Sequence, residues 1–117
     1  MIADTHVHTR LSKDAPQESE NTILSVLAEA GKKGLQYIAE TEHCDIITGK
    51  SCYNVDFPAY EASFVAAEHS QMAAGRSQTR LLFGIELAHA HTHKAEAAAI
   101  LAAHSFDFVL GSLHMPR

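Results

Sequence analysis

Positive charge is scarce in this sequence. Nine lysines and arginines stand against fourteen aspartates and glutamates, a formal net charge of −5. That balance argues against a dedicated nucleic-acid binder, whose domains usually carry a basic face. It does not exclude small anions held through metal ions. Long apolar runs are also missing. No stretch approaches the roughly 20 apolar residues needed to span a bilayer. The start, Met1-Ile2-Ala3-Asp4, lacks the basic residues and apolar run of a signal peptide. The expectation is a cytoplasmic protein with no membrane partner. Cysteine is limited to Cys44 and Cys52. Two are too few for a disulfide scaffold, and both are expected to be reduced thiols. No internal repeat, low-complexity tract or linker is visible, and 117 residues allow at most one domain.

Histidine is what the chain has in unusual amount, as many as lysine and arginine together. It is the commonest metal ligand. The question is whether a fold could gather these side chains.

Hydrophobic spacing predicts seven elements. Ile2 to His8 reads as a buried strand and Glu18 to Ala30 as a helix with Ile23, Leu24, Leu27 and Ala30 on one face. Glu18 and Glu20 suit the positive end of its dipole, and Gly31 and Gly34 read as stop signals. Leu35 to Glu40 is a second strand. Asp56 can cap a second helix that has Pro58 in its first turn, Tyr60, Phe64 and Ala67 as its stripe, and Gly75 at its end. Arg80 to Leu87 is a third strand. Lys94 to His104 is a third helix, with Ala97, Ile100 and Leu101 inward. Phe106 to Leu110 is a fourth strand. The order βαβαβαβ predicts an α/β fold with a parallel sheet, right-handed crossovers placing all four strand ends on one side. The loop from His43 to Val55 is expected to form a lip over the site.

Side chains alternate along a strand. Asp4, His6 and His8 are therefore expected on one face, where two imidazoles at i and i+2 can grip one ion. His43 follows the second strand, Glu86 ends the third, and His114 follows the fourth. In parallel α/β folds, sites gather at the carboxyl ends of strands. Histidine and carboxylate ligands suit zinc, manganese or iron, and Glu86 could bridge two ions. His89, His91 and His93 read as a solvated loop, and His69 and His104 as exposed or packed helix residues.

Four segments, Asp4 to His8 (DTHVH), Thr41 to His43 (TEH), Phe83 to Leu87 (FGIEL) and Phe106 to His114 (FDFVLGSLH), together resemble the PHP family of polymerases and histidinol phosphatases, most of all its histidinol-phosphatase branch. The resemblance implies a distorted TIM-like barrel of seven β/α units, of which residues 1–117 would be the N-terminal half, an incomplete part of one PHP domain. It implies a cluster of usually three divalent metals. His6 and His8 match the first ligand pair, His43 the second motif's histidine, Glu86 the bridging glutamate and His114 the histidine after the fourth strand. Asp14 stands where some members place another ligand. Asp4 and Glu42 would ligate or support the ligands, Glu42 replacing the aspartate of the usual Thr-Asp-His.

The implied activity is hydrolysis of L-histidinol phosphate, a small phosphorylated metabolite of histidine biosynthesis, by metal-activated hydroxide. No catalytic side chain beyond the metal cluster is required. Two other readings stand beside it. One is a phosphodiesterase or exonuclease of the same family, disfavoured by the acidic balance. The other is an inactive truncated fragment that binds metal incompletely and self-associates through an exposed barrel edge.

Overall fold

The computed structural model describes residues 2–11, 21–47, 52, 54–73 and 79–113. The elements are β1 (Ala3–Val7), α1 (Ile23–Lys32), β2 (Tyr37–Asp45), α2 (Phe57–Ala73), β3 (Arg80–Ala88), α3 (Lys94–Ala103) and β4 (Phe108–Ser112). The four strands lie in sequence order, every neighbouring pair parallel, and curl into a half-barrel matching an incomplete TIM-like barrel. The expected βαβαβαβ order is present.

Local chemistry explains the helix boundaries. Thr22 caps α1: its hydroxyl accepts from the Ser25 backbone N–H, and the Ser25 hydroxyl accepts from the Thr22 N–H. Glu18 and Glu20, expected in this helix, lie outside the described residues. Gly31 does not stop α1 but lies within it. The stop is Gly34, at φ +72°, with Leu35 N–H donating to Ala30 and Gly34 N–H to Gly31. This is a Schellman motif, and only a residue tolerant of left-handed backbone closes it cheaply. Asp56 caps α2 by accepting from the Ala59 N–H at 3.2 Å. Tyr60, Phe64 and Ala67 form the buried stripe of α2.

The strand boundaries shift from the expectation. β2 runs on through Thr41, Glu42, His43 and Cys44 to Asp45, because nine consecutive residues pair with β3. β4 begins at Phe108 rather than Phe106. Leu101, expected inward, is 42% exposed, and only Ala97 and Ile100 of α3 are buried.

In a parallel ladder, register partners share a face. Ile38, Cys44, Leu81, Phe83, Ile85 and Leu87 take the outer face and pack with Ile23, Leu27, Tyr60, Phe64 and Ile100 in one core. Phe83 is its aromatic centre, 4.6 Å from the Tyr60 ring and 5.1 Å from that of Phe64. The outer side of β4 is less covered: Val109 stands 45% exposed, and Leu113, just past the strand, 74%.

Tyr60 ties β2 to β3. Its hydroxyl lies 2.8 Å from the Glu40 carbonyl and 2.7 Å from that of Gly84. Burial, with Glu40 and Glu42 nearby, pushes the phenol pKa well up, so it stays a donor. At Gly84 the strands approach so closely that a Cβ would sit 2.8 Å from the carbonyl oxygens of both Glu40 and Phe108. Backbone on two sides leaves no soft partner to yield. Gly84→Ala should therefore cost about 2 kcal/mol in a urea titration, in the range of overpacked interiors. An unchanged midpoint would show that the strands can part there.

The two cysteines correct an expectation. Cys44 and Cys52 are joined as a disulfide with Cα atoms 4.4 Å apart, rather than standing as separate reduced thiols. The cause is the return of the chain after β2. Asn54 Oδ1 accepts from the Asp45 N–H, and Val55 N–H donates to Cys52, bringing residue 52 back over the end of the strand. Spacing in sequence could not show that return. Residues 48–51 and 53, in the expected lip, lie outside the described residues.

Candidate metal centre

The inner face of the half-barrel holds the polar ends of the strands. Glu86 lies opposite His43 in the β2–β3 register, so both side chains share that face. Glu86 is 3% exposed, and its two carboxylate oxygens serve different neighbours. Oε1 meets His6 Nε2 in a short contact and lies 3.5 Å from His8 Nε2. Oε2 lies 2.8 Å from His43 Nδ1, and the Ser112 hydroxyl reaches it at 3.5 Å. His6 and His8 Nε2 atoms are 3.1 Å apart. The His8 and His43 rings stack at a centroid distance of 4.0 Å.

Electrostatics suits cation binding. Burial lowers the His8 pKa, and His43 and His6 lower it further against the opposing pull of Glu86. The imidazole is thus held neutral, the form that ligates a metal. Burial pushes the Glu86 carboxyl up, but His43, His6 and His8 together outweigh it and leave its pKa below the ordinary range. The carboxylate stays ionised while nearly buried.

His6, His8 and Glu86 offer three ligand atoms all within 4.8 Å of one another. Two nitrogens on a tetrahedral zinc, with bonds near 2.05 Å, stand about 3.3 Å apart. The 3.1 Å between the two Nε2 atoms is close to that edge. The donor set of two imidazoles and one carboxylate is also that of known zinc sites. The residues present fit a divalent cation, and His43 stands beside Glu86 for a second.

The other expected site residues are placed as follows. Asp4 does not share the face of His6 and His8. The β1–β2 register shifts between Asp4 and Val7, three residues on β1 spanning two on β2. Such a bulge breaks simple alternation. Asp4 pairs with outward-facing Ile38, and its Oδ1 accepts from the His6 N–H at 3.1 Å. Glu42 faces away from the metal group and accepts from the Thr9 N–H at 2.7 Å. Asp14 and His114 lie outside the described residues. Ser112 and Thr9 escaped sequence reasoning. Ser112 sits within the FDFVLGSLH segment, and its place beside Glu86 is a fact of register. His89, His91 and His93 occupy the turn after β3 and join no metal-type group among the described residues. His69 is exposed on α2. His104 ends α3, bonded to Glu61 at 2.6 Å and stacked on Phe57. No described helix is long and apolar enough to cross a membrane.

Comparison with known proteins adds to this geometry. The PHP domain profile matches residues 4–117. A probable histidinol-phosphatase of Clostridium acetobutylicum is 28% identical over 120 residues, covering 98% of this chain and 40% of that protein. The crystal structure of histidinol phosphate phosphatase from Lactococcus lactis, complexed with zinc, L-histidinol and phosphate, superposes with a TM-score of 0.77 at 26% identity, over 98% of this chain and 41% of the other. The chain thus spans about two fifths of the length of these relatives.

Proposed function

Since the chain belongs to the PHP family, we propose that it forms the amino-terminal part of a metal-dependent phosphomonoesterase whose substrate is L-histidinol phosphate, in histidine biosynthesis. The observation that carries the metal reading is the divided Glu86 carboxylate, Oε1 toward His6 and His8 and Oε2 toward His43. One carboxylate facing two nitrogen groups is suited to bridge two ions. His6, His8, Glu86 and His43 would hold them, and His114 would add a further ligand to a trinuclear cluster of zinc, manganese or iron. Divalent ions bound there would supply an activated water and positive charge against a phosphoryl group.

The chain's own residues then have defined tasks. The neutral His8 imidazole offers its Nε2 lone pair. Glu86 keeps its negative charge in a nearly dry setting, and the Ser112 hydroxyl orients one of its oxygens. Support for the substrate comes from the two relatives, one named a probable histidinol-phosphatase and the other a histidinol phosphate phosphatase crystallised with zinc, L-histidinol and phosphate. A cytoplasmic location fits a biosynthetic role. The little-covered outer side of β4 is the surface through which the chain would self-associate.

Phosphate release by the zinc- or manganese-loaded protein tests the reading. L-histidinol phosphate should be hydrolysed at least about tenfold faster in kcat/KM than p-nitrophenyl phosphate, a difference of about 1.4 kcal/mol in transition-state binding. Equal slow turnover of both would reduce the proposal to an unspecific phosphomonoesterase. Cleavage of single-stranded DNA with no release from monoesters would replace it with the nuclease reading.

A further inference from the structure

The β1–β2 ladder stops just short of His8. Its last register pair is Val7 with Glu40. His8 therefore lies beyond the ladder, on a segment that needs another means of being held. Two side chains of β2 supply it. The Thr41 hydroxyl donates to the Val7 carbonyl at 3.4 Å, and Glu42 Oε1 accepts from the Thr9 N–H at 2.7 Å. These anchors fall on the residues either side of His8. The second is much the shorter, and its acceptor is a carboxylate, the stronger kind of partner for a backbone N–H. Glu42 and Thr9 are 0% and 2% exposed, so water cannot take over the acceptor role.

We propose that Glu42 is a positioning residue for His8, its carboxylate holding the Thr9 amide so that the His8 ring is fixed beside His6 and Glu86. The inference rests on the metal-centre reading for its purpose, but the clamp itself is a property of the metal-free protein. Glu42 lies between Thr41 and His43 in β2 and faces the opposite way from both. One strand thus presents His43 to the inner site and, one residue earlier, fastens the neighbouring strand's His8 from behind.

Two measurements on the same variants decide it. Glu42→Gln keeps an oxygen acceptor at the same reach. Glu42→Met keeps the length and removes the acceptor. Glu42→Asp keeps the charge but draws the acceptor back by a methylene, and serves if Glu42→Met does not fold. In the metal-free protein, Thr9 amide exchange, read against Ile85 on β3, should quicken at least about tenfold in Glu42→Met and Glu42→Asp. The His8 ring resonances should broaden or shift in both. In Glu42→Gln, exchange and ring signals should stay near the parent's. Cobalt titration, followed by visible absorption, should show about tenfold weaker binding in Glu42→Met and little change in Glu42→Gln, the scale known for partners that orient metal ligands. Unchanged Thr9 exchange in both Glu42→Met and Glu42→Asp overturns the clamp. So does equal loss in Glu42→Gln and Glu42→Met, which would make charge and not the hydrogen bond the cause. If the parent binds no cobalt, the metal reading falls, while the Thr9 and His8 signals still decide whether Glu42 holds the segment.

Discussion

Replacing Glu86 by alanine should abolish the response of the protein to zinc. Glu86 lies within reach of His6, His8 and His43 together. Without it, the three imidazoles lose the carboxylate that faces them. A ligand that binds only the folded state adds about 2.7 kcal/mol of stability at a hundred times its Kd. The parent should show that gain as a raised Tm in zinc. Glu86→Ala should show none, with zinc affinity lower by about a hundredfold or more, beyond the 10- to 100-fold typical of residues that merely orient ligands. Glu86→Gln, which keeps shape but not charge, should resemble alanine. Phosphate release should fall in parallel. Calorimetric titration that finds the parent's stoichiometry and Kd in Glu86→Ala would remove Glu86 from the site and, with it, the bridging argument.

The second large effect concerns a residue outside the metal group. Glu40 is 0% exposed, and neither carboxyl oxygen has a hydrogen-bond partner among the described residues. It shares the outer face with Phe83 and Val7, where an apolar residue would be at home. Burial, with Glu42 and Asp4 adding repulsion, pushes its pKa up to about 9. In the folded protein the group keeps its proton at neutral pH, whereas in the unfolded chain it ionises above its ordinary value of 4.5. Between those two values the folded state binds the extra proton, so stability falls as pH rises. The slope is at most about 1.4 kcal/mol per pH unit. By pH 7 the accumulated loss reaches about 3 kcal/mol.

Glu40→Leu should therefore stabilise the protein by about 3 kcal/mol at pH 7, and by less at pH 5. Urea midpoints at pH 5, 7 and 9 measure this directly. The parent should weaken across the series, and the variant should lose most of that trend. Parallel slopes in the two proteins would show that Glu40 finds a charged-state partner and is not held protonated.

Glu40 also marks where linear reading stops. In LQYIAE the residue looks like the polar end of a strand. The register carries β2 five residues further, through His43 to Asp45, and puts Glu40 in mid-strand beneath the helices. The same extension turns Glu42 to the outer face, where it meets Thr9 instead of a metal. Asp4 left the histidine row for a similar reason: a bulge between Asp4 and Val7 broke the alternation that a regular strand would keep. Gly31 could not be told from Gly34 as the stop of α1, since both are glycines after the apolar stripe. Only the backbone shows which adopts positive φ.

The sequence by itself determined the order of elements, the parallel α/β class and the family. Those depend on periodicity, caps and motif spacing, which are local and survive in one dimension. It also singled out His6, His8, His43 and Glu86, because ligand-type residues at successive strand ends must gather on one side of a parallel sheet. The tertiary structure alone decided which atoms face one another: the two sides of the Glu86 carboxylate, the Glu42–Thr9 clamp, the buried Glu40 and the Cys44–Cys52 pair. Each of these turns on strand register or on a loop's return. A shift of one residue in register reverses the face of a side chain, and no local pattern in the chain records it.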